Sequence, residues 1–203
     1  GFLIPLIYFS FKIKISRLLN LYLVFSLICF QGFIGLYMVS SGLVNRIDVS
    51  HFRLSLHLFI AFLILSIIFW NYLKINENSN ILYKLNPIIP FLFLVLIYTQ
   101  IIIGAFVSGM DAGKIYNSWP FMGNTYFPDD NHFNNLFKLS ALSDPSLVQF
   151  IHRNLAYIIG IYYILMSYKI YKNKMKDLYK STIYLGCFII LQIFLGILTI
   201  IFG

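Results

Sequence analysis

Five stretches of this chain, at about residues 18–44, 51–73, 87–109, 147–168 and 181–203, are apolar over enough length to cross a bilayer. A helix needs roughly 20 apolar residues to span about 30 Å of hydrocarbon. Lipid offers no partner for backbone N–H and C=O groups, so a spanning segment must satisfy its own. Helices are therefore the economical reading of all five, and of a sixth run, residues 1–11, of about half the necessary length. Composition agrees: 60% of residues are hydrophobic and 11% charged, about half the charge of a soluble domain. The expectation is an all-α polytopic membrane protein, a helix bundle with five full transmembrane helices and one truncated helix. Pro5, Pro87 and Pro90 lie near helix ends or in the short first run, where a missing N–H is tolerated.

Charge then orients the spans. The loops near residues 12–17, 72–86 and 169–180 hold Lys12, Lys14, Arg17, Lys74, Lys84, Lys169, Lys172, Lys174, Lys176 and Lys180. The opposite loops and adjoining helix ends hold only Arg46, Arg53, Lys114, Lys138 and Arg153. The richer set is expected on the cytoplasmic or matrix side. The net charge of +8 is thus a topology signal, and nucleic acid is a poor second. Cys29 and Cys187 sit inside apolar runs, without a Cys-x-x-Cys metal pattern. The first residue is Gly and no leader-like pattern precedes the apolar run, so the chain reads as a piece of something longer.

Polar residues recur in register. Gln31-x-x-x-Gly35, Gln100-x-x-x-Gly104 and Gln192-x-x-x-Gly196 lie on helices of one polarity, His57-x-x-x-Ala61 and His152-x-x-x-Ala156 on helices of the other. The repeat reads as a His helix, a basic loop and a Gln-x-x-x-Gly helix, occurring twice. Counted from the inner helix ends, it places a third histidine some five residues before Gly1 and a fourth after Gly203.

An ionisable residue inside a membrane helix is a functional-site hypothesis. The plain alternative is a neutral imidazole hydrogen-bonded to a neighbouring helix. A proton relay usually brings intramembrane carboxylates, and none of the seven Asp and Glu residues lies mid-helix. A zinc site wants three or four converging ligands, whereas heme iron is satisfied by one or two axial imidazoles. Heme is the favoured reading for His57 and His152. Arg53, one turn before His57, and Arg153, directly after His152, suit heme propionates. Snorkelling to lipid headgroups is their bland alternative. His51 and His132 read as solvent or interface histidines.

Residues 110–146 form a long loop, expected on the outer side with both chain ends. It carries Tyr116, Trp119, Phe121, Tyr126 and Phe127, and is interrupted by Pro120, Pro128 and Pro145. Loops this long are usually functional or disordered. The aromatics favour order, as a lid or substrate-access element or as an anchor on the membrane surface.

"GLVNRIDVSHFRLSLHLFIAF", "GAFVSGMDAGKIYNSWPFM" and "VQFIHRNLAYIIG" together resemble the heme A synthase family, in its mitochondrial and alphaproteobacterial branch. The middle stretch, with Gly109, Asp111, Ala112, Gly113, Tyr116, Asn117, Trp119 and Pro120, is the most specific. The resemblance implies eight transmembrane helices in two similar four-helix halves, and oxidation of a heme O methyl group to the formyl group of heme A for cytochrome oxidase assembly. It implies heme B as cofactor, with His57 and His152 as axial ligands, Arg53 and Arg153 beside the heme, and Asp111, Tyr116, Asn117 and Trp119 as a substrate loop. The family's Glu-x-x-His-Arg motif, whose glutamate is implicated in the chemistry, would end just before Gly1, so the catalytic group lies outside this chain. On that view residues 1–109 run from the end of the first half into the second repeat unit, 110–146 are the outer loop, and 147–203 are two helices of the second half. The segment alone is expected to be inactive, within a parent enzyme of the bacterial or mitochondrial inner membrane. Heme O, membrane lipid, heme O synthase and oxidase assembly factors are the implied partners. The competing function is a b-type heme electron carrier that makes no formyl heme; a transporter with coincidental histidines is a third.

Overall fold

A computed structural model describes residues 3–11, 15–42, 50–75 and 85–202. Lys12, Lys14, Arg46 and Lys84, used above to orient the loops, lie outside the described residues. The described chain is helical: α1 (Leu3–Ser10), α2 (Ile15–Gly42), α3 (His51–Ile75), α4 (Ile88–Gly109), α5 (Pro145–Lys172) and α6 (Lys176–Phe202). Three short 3-10 turns, Ala112–Lys114, Phe133–Phe137 and Leu139–Ser143, punctuate the long loop. The truncated first helix and the five long ones are all present.

Four helices, over Leu19–Val39 of α2, His51–Lys74 of α3, and all of α4 and α6, are long and apolar enough to cross a membrane. Together they make this a multi-pass membrane protein. The fifth expected span differs. At 28 residues α5 has ample length, but Gln149, His152, Arg153 and Asn154 fall in its first half and Lys169 and Lys172 in its last turn. Arginine and other polar groups lower the partition of a helix into lipid steeply. The start of α5 is set locally: the Asp144 carboxylate accepts from the Leu147 N–H at 3.1 Å, and Pro145 occupies the first turn, where its missing N–H costs nothing.

The chain forms two compact units, residues 1–81 and 82–203. In the first, α2 and α3 make an antiparallel hairpin whose core is Val24, Ile34, Ile60 and Ile64, flanked by Leu27, Phe59 and Ile67. Polar clasps recur along its length. The Asn20 side-chain amide donates to Asn71 Oδ1 at 2.9 Å, and the Arg53 guanidinium stacks over the Tyr37 ring at 4.5 Å. In the second unit, α4 packs antiparallel on α5 through Ile103, Phe106 and Val148. Phe93, Ile159, Met166, Ile170 and Met175 continue that core towards α6. Tyr162 Oη donates to the Ile89 carbonyl, and Tyr163 Oη to that of Thr182, each at 2.9 Å. Much of the remaining apolar surface is exposed, as on α6 at Phe188, Ile190 and Phe202, where lipid takes the place of a protein core.

Gly186 of α6 faces the Tyr163 side chain of α5. A Cβ there would clash with Tyr163 Oη and lie 2.8 Å from its Cζ. Gly186→Ala must drive the tyrosine off its bond to Thr182, so a loss of about 1–3 kcal/mol is expected. The check is the thermal midpoint of the detergent-solubilised protein, with Gly160→Ala, where the nearest contact would be 4.0 Å, left near wild type.

Candidate functional site

Each unit brings one membrane histidine against a glycine of the neighbouring helix. In the first, a Cβ on Gly35 would lie 3.4 Å from His57 Cε1; in the second, one on Gly104 would lie 3.1 Å from His152 Cε1. The glutamine one turn earlier donates to the backbone carbonyl of the same histidine. Gln31 Nε2 reaches the His57 oxygen at 2.9 Å, and Gln100 Nε2 the His152 oxygen at 3.2 Å. Gln100 Nε2 also lies 3.3 Å from His152 Nε2. An amide N–H can only donate, so that contact leaves Nε2 as acceptor and the proton on Nδ1. In both histidines Nδ1 is buried and has no hydrogen-bond partner among the described residues.

The repeated contact adds a packing partner to the repeat read from the sequence. There, each His helix was joined to the Gln helix that follows it. Within each unit the His helix packs on the Gln helix that precedes it, forming a hairpin, Gln helix then His helix; α5 packs on α6, the Gln helix that follows it, as well. Glutamine and histidine are 26 residues apart in the first hairpin and 52 in the second; the long loop accounts for the difference. On α6, Gly196 has nothing within 4 Å, and Gln192 is exposed.

Arg53 and Arg153 have different surroundings. Arg53 is half-buried, with its guanidinium on Tyr37. Arg153 is 7% exposed and turns into the long loop. Its Nη1 donates to the Ser118 carbonyl at 2.9 Å and its Nη2 to that of Tyr116 at 2.8 Å, while Nε is buried without a partner. No carboxylate pairs with it among the described residues; carbonyl dipoles stabilise the charge, as burial of a guanidinium requires.

Around Arg153 the loop is tied to one face of α5. Gln149 Nε2 donates to the Tyr116 carbonyl at 3.0 Å, Trp119 Nε1 to Tyr157 Oη at 2.8 Å, and Tyr126 Oη to Asn154 Oδ1 at 2.7 Å. The ladder Gln149, Arg153, Tyr157 was missed in the sequence, although its four-residue spacing is the signal for one helix face. Of the expected loop residues, Tyr116 and Trp119 are thus held on α5. Tyr116 Oη also donates to Asp130 at 3.0 Å. Asp111 is exposed and pairs with Lys114 at 2.8 Å, and Asn117 is exposed.

The loop's second turn has its own anchor. Gly123 takes φ +81°, and a Cβ there would clash with Asp129 Oδ2. The Asn124 N–H and then the Thr125 hydroxyl donate to the Asp129 carboxylate, holding its pKa below the usual range. His51 opens α3 and His132 lies exposed in the loop, apart from the two glycine contacts. Among the described residues no group of three or more His, Cys, Asp or Glu is placed to hold a metal ion.

Comparison with known proteins follows the same residues. The family model described as cytochrome oxidase assembly protein, COX15-CtaA, matches residues 1–203. Proteins named heme A synthase are similar over almost the whole chain. That of Pelagibacter ubique (strain HTCC1062) is 43% identical over 99% of the chain and 60% of its own length. That of Rickettsia bellii (strain RML369-C) is 40% identical over 99% of the chain and 62% of its own. That of Rickettsia felis is 39% identical over 100% and 62%. The chain therefore spans about three-fifths of the length of these relatives. No solved structure matches it. An all-helical membrane chain matched from its first residue to its last belongs to the COX15-CtaA family of cytochrome oxidase assembly proteins.

Proposed function

We propose that this chain is the central part of a heme A synthase, an oxidoreductase that converts a methyl group of heme O to the formyl group of heme A. The observation that carries the reading is the pair of imidazoles held alike in the two units, each packed on a glycine and each with its backbone carbonyl bonded by a glutamine of the facing helix. Heme iron takes a neutral imidazole through the ring nitrogen that carries no proton; in His152 that nitrogen is Nε2, which the Gln100 amide would yield to the iron. The residues fit the group the family implies: His57 would hold heme in the first half and His152 in the second, one of the two being heme B and the other the substrate. The parent would have eight helices in two halves, with five full spans and one partial span falling in this chain.

Bound heme supplies the redox chemistry; the chain's residues bind and orient. His57 and His152 would each give one axial nitrogen. Arg153, a buried cation with no carboxylate and no Nε partner among the described residues, suits an anionic propionate on that side. Arg53 would do the same beside His57. The loop at Tyr116–Phe121, held over α5, would close the second site from water, with Asp111, Tyr116, Asn117 and Trp119 along the path of the substrate. The catalytic glutamate is assigned to the segment before Gly1. The parent would sit in a bacterial or mitochondrial inner membrane with its lysine-rich loops on the cytoplasmic or matrix side, and would receive heme O from a synthase and deliver to oxidase assembly.

The test is formyl-heme formation in membranes supplied with heme O. The full-length protein is expected to yield heme A and residues 1–203 alone to yield none. A full-length protein with a Soret band but no formyl product would be an electron carrier instead. One with no Soret band would be neither.

A further inference from the structure

We propose that Gln31 and Gln100 are positioning residues, each setting the height and orientation of the imidazole on the facing helix, with Gly35 and Gly104 setting its depth. This rests on the heme reading above.

The carbonyl of a helical residue already accepts from the N–H four residues on, and its oxygen has a second lone pair. In both hairpins the glutamine amide takes that second position on the histidine itself, at 2.9 Å in one and 3.2 Å in the other. A side chain bonded there fixes the histidine along the helix axis, where one residue is a step of about 1.5 Å. The glycine four residues later lies on the same face of the Gln helix and lets the ring rest against the helix backbone; an added Cβ would press on Cε1 in each case. In the second hairpin the same amide nitrogen lies 3.3 Å from the ring's Nε2, which couples the amide to the tautomer as well as to the backbone.

Two observations separate positioning from simple adhesion. The contact is reproduced in hairpins whose glutamine and histidine are 26 and 52 residues apart, so loop geometry does not dictate it. Adhesion between the helices is also supplied elsewhere, by Asn20 on Asn71 in the first unit and by Tyr162 on Ile89 in the second. Gln31 Oε1 and Gln100 Oε1 are buried without partners among the described residues. Each amide therefore carries a desolvation cost that a purely adhesive apolar residue would avoid.

The experiment uses the purified, heme-loaded full-length protein, comparing Gln100→Leu, Gln31→Leu and Gly104→Ala with Tyr162→Phe, Asn20→Leu and His152→Ala. The readouts are the visible bands, the electron paramagnetic resonance signal of the oxidised iron and the reduction potential of whatever heme is retained. Gln100→Leu is expected to lower occupancy of one heme several-fold and to shift the signal of the remainder. Gly104→Ala, which keeps the amide and moves the ring by a few tenths of an ångström, is expected to shift the same signal at near-normal occupancy. Tyr162→Phe and Asn20→Leu should lower the thermal midpoint without moving any signal. Retained heme with wild-type signals in Gln100→Leu, Gln31→Leu and Gly104→Ala overturns the positioning role. An unchanged spectrum in His152→Ala, or no Soret band in the wild type, overturns instead the heme reading on which it rests.

Discussion

His152→Ala is expected to empty the heme position of the second unit, with occupancy falling at least tenfold, and His57→Ala to do the same for the first. In the proposed site the histidine would supply the bond to iron, and loss even of a group that merely orients a metal ligand costs about 10- to 100-fold in affinity. The two losses should be separable, because the histidines lie in different compact units. Each single variant is then expected to keep one heme signal and the double variant none. The geometry offers a sharper check. Truncating His152 leaves a ring-sized space over Gly104, where the imidazole now stands 3.1 Å from the position a Cβ would take. Free imidazole at millimolar concentration should therefore restore the lost band in His152→Ala, and should do so less well when Gly104→Ala is added. A single variant that keeps both signals unchanged would remove that histidine from the site.

Arg153→Leu is expected to release the loop from α5. The guanidinium makes two short bonds to the carbonyls of Ser118 and Tyr116 from a position 7% exposed. Charge-assisted bonds of this kind are worth roughly 1.5–3 kcal/mol each, and leucine would also leave the Ser118 carbonyl facing an apolar surface. Limited proteolysis in proteoliposomes reads the outcome: cleavage within residues 113–121 should become at least tenfold faster, while the helices stay intact. Arg153→Lys should fall between, because an ammonium on a flexible stem cannot span two carbonyls as the planar fork does. Gln149→Leu should have the smaller effect, since Tyr116 keeps its bond to Arg153. Wild-type cleavage rates in Arg153→Leu would mean that the aromatic contacts of the loop suffice to hold it.

The helices were legible because lipid imposes one rule, length and apolarity, that a sequence displays openly. The Gln-x-x-x-Gly and His-x-x-x-Ala pattern was legible for the same reason, as polar residues stand out in such runs. Which helices pair was not. A helix apolar on nearly every side carries no stripe that names its neighbour, so the spacing from His57 to Gln100 looked as good as that from Gln31 to His57. The loop was the other blind spot. Asp111 drew attention as part of a specific motif, yet it lies exposed against Lys114. Gln149, which holds the Tyr116 carbonyl, drew none. The difference is tertiary: carbonyl acceptors have no letter in a sequence, and most of the bonds tying this loop to α5 end on one.

The polar first half of α5 has a consequence for how the protein is made. A segment carrying Gln149, His152, Arg153 and Asn154 partitions poorly into a bilayer, since polar side chains oppose entry and a charged one does so most strongly. The groups that neutralise that opposition belong to residues 113–126, which leave the ribosome before α5 does. If α5 spans the bilayer as proposed, its entry is expected to be cooperative, waiting on a surface that α4 and the loop have already assembled. Biogenesis, more than the final fold, is where damage to the loop would first be felt.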